Sequence, residues 1–251
     1  PLVISMHGAG LWGAAQKETS RWNREAERQG FMVVYPSGVS GRGPRIWRAE
    51  LGAGLRMDVR FIADLIDTLA ARYNIDLARV YANGLSNGGG MAFALSCTLS
   101  DRIAAVGAVA PALFLPWSAC IDRRAMPMIA FHGTADRFVP YHGGTSRIAP
   151  RPFPDIPTWT AKWARRNRCA PSPGDSAVAR DVTRRAYTRC ADAAAVVLYT
   201  IRGGGHSWPG GKPLPEWFVG PTTSAIDATS LMWAFFREHR LRDAPTAERH
   251  Q

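Results

Sequence analysis

The stretch from Val80 to Gly90 reads VYANGLSNGGG and places the pattern G-x-S-x-G between an apolar run and a helical pattern. A sharp turn from strand to helix forces the central serine into a strained backbone conformation. Only glycine at positions 84 and 88 lets the neighbouring chain segments approach. The hydroxyl is then held clear of the sheet, at the positive end of the following helix. This context predicts that Ser86 is a nucleophile.

Short apolar runs bounded by Gly, Pro or charged residues recur along the chain and indicate strands buried on both faces. They occupy residues 2–6, 31–35, 79–83, 104–110, 128–131 and 195–201. Helical patterns lie between them at residues 18–29, 58–73, 89–99, 158–168 and 224–239, and predicted loops at residues 37–44, 149–157 and 203–215. This alternation predicts a mostly parallel central sheet flanked by helices on both faces. Together with the serine turn it predicts an α/β protein of the α/β-hydrolase fold.

The 251 residues can bury one large core, so we expect residues 1–251 to form a single catalytic domain. The apolar runs are far shorter than the roughly 20 residues that cross a bilayer, which predicts no membrane segment. The sequence PLVISMHG at Pro1 already reads as a buried strand. We therefore expect an N-terminal lead-in segment to be missing.

A serine hydroxyl is a weak nucleophile and needs a base, for which the chain offers six histidines. His206 lies in GGGHSWPGG, a loop between the last predicted strand and the last helix, which is the place of the base in this fold. His239 and His250 fall in the last helix and its tail, whereas His7 and His132 end strands. The acid that orients the base is predicted to be Asp136, which follows the run 128–131, with Asp155 as the rival. Either carboxylate could instead cap a helix.

The segment His7-Gly8-Ala9-Gly10 directly follows the first strand and is typical of a loop that exposes backbone N–H groups to an oxyanion. We expect the two donors of the oxyanion hole to be the backbone amides of Ala9 and Asn87. His7 is then expected to hold the loop and to take no part in acid–base chemistry.

The four cysteines form two close pairs along the chain and no CxxC, which gives little support to a zinc site. We expect disulfides between Cys97 and Cys120 and between Cys169 and Cys190, in an exported protein. The alternative is four reduced, buried thiols. No metal is predicted.

The chain carries 31 basic and 20 acidic residues, a formal net charge of +11. Only Lys17, Lys162 and Lys212 are lysines, which leaves 28 arginines. The arginines occur in short groups, among them 42, 45 and 48; 165, 166 and 168; and 180, 184, 185 and 189. No nucleic-acid-binding motif accompanies them, so we expect no nucleic-acid partner. The charge either draws an anionic substrate or keeps a solvated surface soluble.

The chain resembles the secreted polyhydroxybutyrate depolymerase and feruloyl esterase family of α/β hydrolases. The resemblance rests on PLVISMHGAG, RVYANGLSNGGGMAFALSC, HGTADRFVPYHGG and LYTIRGGGHSWPGG, among other blocks. It implies ester hydrolysis through an acyl-enzyme, export to the periplasm or the medium, and no cofactor. It also implies that Trp208 forms an aromatic wall of the substrate groove. Trp47 and Tyr141 are further predicted substrate-binding residues.

The positive charge departs from this pattern, because a neutral polyester gives no reason for it. Poly(aspartic acid) hydrolases of the same serine type are similar to this family, and a polyanion would suit an arginine-rich surface. Three hypotheses follow: a depolymerase of an anionic chain such as poly(aspartic acid), a neutral polyester depolymerase or feruloyl esterase, and a binding module without activity. The positive charge favours the first hypothesis. The third is the least favoured, because a binding module does not need the three triad positions and the oxyanion loop. The oligomeric state stays open, with a homodimer as one alternative.

Overall fold

The computed structural model describes residues 1–40, 43–120, 124–146 and 149–242. Its strands are β1 (Leu2–Met6), β2 (Met32–Val34), β3 (Val80–Leu85), β4 (Ala105–Val109), β5 (Met128–Gly133), β6 (Gly144–Ser146), β7 (Ala149–Phe153), β8 (Gly174–Ala179), β9 (Val182–Tyr187) and β10 (Val196–Ile201). Its α-helices are α1 (Gly13–Ser20), α2 (Trp22–Gln29), α3 (Ala53–Arg72), α4 (Asn87–Thr98), α5 (Ile156–Arg166), α6 (Glu216–Val219) and α7 (Ala228–Phe236).

Eight strands form one sheet in the order β2-β1-β3-β4-β5-β10-β9-β8. The six strands from β2 to β10 run parallel, and β9 and β8 add an antiparallel hairpin at one edge. The carboxyl ends of the parallel strands therefore meet at one edge of the sheet, where ligands bind in open α/β sheets.

The two faces of the sheet are covered by two apolar clusters, as the period of a strand requires. Along β1, Leu2 and Ile4 belong to one cluster and Val3 to the other. The first cluster includes residues of α3, α4 and α5, whereas the second includes residues of α2 and α7. This is the predicted mainly parallel sheet with helices on both faces.

All six predicted strands are present, with ends that differ by a few residues. The single helix predicted over residues 18–29 is wrong, because Arg21 adopts a left-handed conformation with φ of 57° and separates α1 from α2. The loop predicted over residues 149–157 is also wrong. It contains β7, which pairs with β6, and the start of α5, whose first turn accommodates Pro157.

Both expected disulfides are formed, Cys97 to Cys120 and Cys169 to Cys190. The first joins α4 to a segment that precedes β5. The second joins the residues after α5 to those after β9. Within the residues that the structure describes, no helix combines the length and the apolar character that crossing a membrane requires.

Removing the second disulfide with Cys169→Ser and Cys190→Ser is expected to lower the free energy of unfolding by about 3 kcal/mol, because the crosslink restricts the unfolded chain. Denaturant unfolding of the variant and of the oxidised wild type measures the difference. Thiol titration of the unfolded, unreduced wild type should find no free thiol. A titre of four would contradict both disulfides.

Candidate functional site

Ser86 stands at the turn from β3 to α4 with φ of 55° and ψ of −117°, a backbone conformation that few non-glycine residues adopt. The turn is close because its flanking glycines touch other chain segments. A Cβ on Gly84 would lie 2.4 Å from the carbonyl carbon of Gly88, and a Cβ on Gly88 would lie 2.3 Å from the carbonyl oxygen of Met6. Any larger residue at either position would push the turn away from β1.

The strained backbone of Ser86 is held by hydrogen bonds on both sides. Its N–H donates to the carbonyl of Val109 at 2.8 Å, and its carbonyl accepts from the N–H groups of Gly90 and Ala112, each at 2.9 Å. The surrounding structure thereby fixes a conformation that is unfavourable by itself. Ser86 is 7% exposed and lies at the carboxyl end of the sheet.

His206 and Asp136 meet in the structure from two separate loops. The Nδ1–H of His206 donates to Oδ2 of Asp136 at 2.7 Å. The other carboxylate oxygen, Oδ1, accepts from the backbone N–H groups of Phe138 at 2.8 Å and Val139 at 2.9 Å. The Asp136 side chain is fully buried, whereas 10% of the His206 side chain is exposed. In the neutral imidazole this contact fixes the tautomer, with the proton on Nδ1 and the lone pair on Nε2.

Burial alone would raise the pKa of Asp136. The hydrogen bond from His206, the charges of His206 and His132 and the N–H of Val139 outweigh it and lower the pKa below its usual range. Asp136 is therefore ionised at neutral pH. His132 is itself buried, which lowers its pKa, and its Nε2–H donates to the carbonyl of Val139 at 2.8 Å. His132 thus supports the Asp136 turn through its hydrogen bond to Val139.

The loop that carries His206 is packed closely against its surroundings. The His206 N–H donates to the carbonyl of Val219 at 2.6 Å. A Cβ on Gly205 would lie 2.2 Å from the same carbonyl oxygen, and a Cβ on Gly133 would lie 2.1 Å from the carbonyl oxygen of Gly204. The glycines of this segment allow its close contact with β5 and α6.

The loop after β1 reaches the serine turn. A Cβ on Gly8 would lie 3.5 Å from the Cβ of Ser86, and the next residue, Ala9, is exposed. His7 holds this loop: its Nδ1–H donates to the carbonyl of Gly8 at 2.8 Å, and its Nε2 accepts from the N–H of Gly38 at 2.9 Å. His7 lies outside the contact between His206 and Asp136.

Asn87 fixes a second wall beside the serine through its side chain. Its Oδ1 accepts from the N–H of Trp47 at 2.6 Å, and its Nδ2 donates to the carbonyl of Trp47 at 2.9 Å. The Trp47 indole packs on His7 with ring centroids 5.4 Å apart. The segment around Trp47 is thus tied to the residue directly after Ser86.

A cleft of about 830 Å³ opens at Ser86 and His206. Gly8, Ala9 and Asn87 also line it. Most of its remaining wall is apolar. These side chains include Leu11, Ile46, Trp47, Leu51, Leu55, Phe114, Phe138, Leu214 and Phe218. The cleft can therefore hold an apolar group of considerable size next to the serine.

Three aromatic residues of this wall, Phe114, Phe138 and Phe218, were not predicted from the sequence. The Phe138 ring lies 5.2 Å from the His206 ring and 5.0 Å from the Phe218 ring, between centroids. Phe138 follows Asp136 by two residues, and that proximity is the one signal that could have identified it. Phe218 belongs to the short α6, and nothing in its local sequence places it at the cleft.

The charge of the cleft is close to balanced among the residues that the structure describes. Arg48 lines the cleft but pairs with Asp58, to which its backbone N–H donates at 2.7 Å and its Nε–H at 3.0 Å. Glu50 also lines the cleft and pairs with Arg151. Arg42 lies outside the described residues, and the arginines of the β8–β9 hairpin lie away from the cleft. Of the arginine groups named from the sequence, Arg48 is the described member that lines the cleft.

Trp208 and Tyr141 do not line the cleft, contrary to prediction. Trp208 is 1% exposed and belongs to the apolar cluster that includes residues of α2 and α7. Its Nε1–H donates to Oγ1 of Thr229 at 3.0 Å. Tyr141 is 8% exposed, and its hydroxyl pairs with Oγ1 of Thr200 at 2.8 Å. Both are core residues whose polar atoms are already satisfied. Trp47 alone of the three lines the cleft.

The rival carboxylate, Asp155, caps α5. Its Oδ2 accepts from the N–H of Thr158 at 2.9 Å, and its Oδ1 lies 3.3 Å from Nδ1 of His142, a mostly exposed ring. His239 lies after α7 and lines no part of the cleft, whereas His250 falls outside the described residues. In the described part of the chain, no group of three or more His, Cys, Asp or Glu side chains could hold a metal ion.

The parallel sheet, the strained serine turn and the cleft above it define a hydrolase of the α/β-hydrolase fold. A solved acetyl xylan esterase from Aspergillus awamori shares this fold, with a TM-score of 0.63 and 18% identity over 82% of this chain and 83% of that chain. The family profile described as Esterase PHB depolymerase matches residues 1–128, and the chain belongs to that family.

Two fungal proteins are similar in sequence. Feruloyl esterase B of Piromyces equi is 31% identical over 222 residues, which are 84% of this chain and 40% of that protein. The bifunctional acetylxylan esterase/xylanase XynS20E of Neocallimastix patriciarum is 32% identical over 142 residues, which are 56% of this chain and 20% of that protein. The chain therefore spans less than half the length of either relative.

Proposed function

We propose that this chain is a serine esterase in which Ser86 attacks the ester carbonyl, His206 transfers the proton and Asp136 orients the imidazole. The observation that carries the proposal is the hydrogen bond from His206 to Asp136, at 2.7 Å, at a cleft that Ser86 and His206 both line. With Nδ1 protonated and bonded to a buried carboxylate, Nε2 is free to accept the proton of the serine hydroxyl.

Attack by Ser86 forms a tetrahedral intermediate, whose oxyanion accepts hydrogen bonds from the backbone amides of Ala9 and Asn87. The imidazolium of His206 then returns the proton to the leaving alcohol, and the acyl group stays on Ser86. Water, deprotonated by His206, attacks the acyl-enzyme, and the imidazolium then returns this proton to the oxygen of Ser86 as the acid is released. Asp136 remains ionised and stabilises the imidazolium in both halves of the reaction.

The apolar wall favours a neutral ester whose acyl group is aromatic or belongs to a polyester. Among the described residues, Arg48 is the arginine that lines the cleft, and it is already paired with Asp58. A polyanion would therefore have to bring many carboxylates along a mostly apolar wall. Burial of an unpaired carboxylate is unfavourable. The similarity to a feruloyl esterase and to an acetylxylan esterase points the same way. Poly(aspartic acid) is therefore the weaker candidate, and the two disulfides support export to the periplasm or the medium.

Hydrolysis of methyl ferulate, a soluble 3-hydroxybutyrate oligomer and poly(aspartic acid), measured side by side, tests the proposal. We expect turnover of at least one neutral ester and none of poly(aspartic acid). The kcat/KM for methyl ferulate should change by less than about twofold between about 20 and 500 mM salt, because the reacting groups lie within a few ångströms of one another. Cleavage of poly(aspartic acid) that falls steeply with salt would contradict the neutral-ester assignment and restore an electrostatic role for the arginines.

A further inference from the structure

Arg151 joins two residues of the cleft wall that are far apart in the sequence. Its guanidinium pairs with the carboxylate of Glu50 and lies over the ring of Phe114, with its Cζ 5.6 Å from the ring centroid. Glu50 and Phe114 both line the cleft. Arg151 itself stands on β7, in the hairpin that separates the Asp136 loop from α5.

The β6–β7 hairpin, which carries Arg151, is anchored by the packing of an aromatic residue. The ring of Phe153, which ends β7, lies 5.0 Å from the ring of Phe114, between centroids. Phe153 also belongs to a small buried cluster with Ala112 and Val139. This cluster fixes the hairpin to the segment after β4 and to the Asp136 loop.

The segment that carries Glu50, the partner of Arg151, is anchored by hydrogen bonds to the residues that precede Glu50. Asn87 binds both backbone groups of Trp47, and Asp58 binds the backbone and the side chain of Arg48. Beyond these anchors the segment becomes exposed, and Leu51 is 65% accessible to solvent although it lines the cleft. The Glu50–Arg151 pair thus connects the less anchored end of one wall to the firmly packed hairpin.

We infer that the Glu50–Arg151 ion pair is a specificity determinant that limits the size of the acyl group by holding Glu50 and Leu51 in place. The inference rests on the proposed esterase function of the same cleft. When the pair is broken, the wall at Leu51 can move outward. Bulky acyl groups then enter more easily, whereas small ones gain nothing.

The size of the effect follows from the exposure of the pair. Both side chains are 54% exposed, and exposed ion pairs contribute modestly and weaken as salt rises. Loss of the pair should therefore raise the ratio of kcat/KM for a bulky ester to that for a small one by about threefold to fivefold. Raising the salt concentration should also raise this kcat/KM ratio in the wild type. For a polyanionic substrate the expected trend is the opposite, because its kcat/KM falls as salt rises.

The test compares p-nitrophenyl acetate, butyrate and octanoate for the wild type, Glu50→Gln, Arg151→Gln and the charge swap Glu50→Arg/Arg151→Glu. We expect the octanoate-to-acetate ratio to rise in both single variants and to return to within about twofold of the wild type in the swap. Salt should raise the ratio in the wild type and leave Glu50→Gln unchanged. Asp175→Asn is the matched control, since it breaks an exposed pair with Arg185 that lies away from the cleft.

The outcomes separate the two proposals. A wild type that hydrolyses none of the three esters, nor the neutral esters named above, would contradict the esterase function itself. A wild type that hydrolyses them while both single variants keep its ratio would overturn the specificity role alone. Equal ratios in the swap and in the single variants would also overturn it, because a size effect of the substituted side chains would then replace the ion pair as the cause.

Discussion

Replacing Ser86 with alanine is expected to lower kcat by about 10⁴-fold to 10⁶-fold on any ester that the wild type hydrolyses. The loss is large because no other group can form the acyl bond. The fold should survive, because the three hydrogen bonds that hold this turn use the backbone of residue 86, not its hydroxyl. The melting temperature should therefore change little, and rate and melting curve are measured on the same preparation.

A matched control is available on the following helix. Ser96 is buried in α4, and its hydroxyl donates to the carbonyl of Phe93 at 2.7 Å. Ser96→Ala should keep most of the activity, which separates loss of a nucleophile from loss of a buried hydroxyl. Labelling of the wild type by an organophosphonate should modify Ser86. Stoichiometric labelling of another residue, with activity retained in Ser86→Ala, would contradict its role as nucleophile.

Most of the strands that were predicted correctly are those whose residues are buried on both faces of the sheet. The strands β1, β3, β4 and β5 are buried on both faces and read as continuous apolar runs. The edge hairpin escaped prediction because β8 is almost entirely exposed and β9 mixes buried and exposed residues without alternation. Arg184 and Arg185 stand side by side in β9 and break any apolar alternation, and their strand identity comes from pairing with β10.

Some residues of the site can likewise be predicted from the local sequence, whereas others are placed only by the tertiary structure. The serine turn is coded locally by its glycines, and the positions of Asp136 and His206 follow from the order of strands and loops. The direction of the Trp208 side chain could not be predicted in this way. Trp208 follows His206 by two residues, yet in an irregular loop sequence distance does not fix the direction of a side chain, and its indole reaches Thr229 in the core. The cleft wall from Phe138 to Phe218 likewise exists only because separate loops meet.

Asp136→Asn should lower kcat by about 10⁴-fold while the protein stays folded, because the amide selects the wrong tautomer of His206. The amide oxygen of the variant can still accept from the N–H groups of Phe138 and Val139, as Oδ1 of Asp136 does at 2.8 and 2.9 Å. Its NH₂ group then faces Nδ1 of His206. A donor there requires Nδ1 to be unprotonated, so the neutral ring carries its proton on Nε2 and cannot accept one from Ser86.

Asp155→Asn is the matched control, because the same change is made at a second carboxylate that contacts a histidine. Asp155 caps α5, and asparagine caps helices about as well as aspartate, so stability should be nearly unchanged. Its partner His142 is 80% exposed, which leaves no buried imidazolium for the carboxylate to stabilise. Steady-state kinetics of both variants should show a large loss of kcat for Asp136→Asn alone. Equal losses of kcat in the two variants would contradict the conclusion that burial distinguishes the role of Asp136 from that of Asp155. An Asp136→Asn variant with wild-type kcat would show that Asp136 does not orient His206.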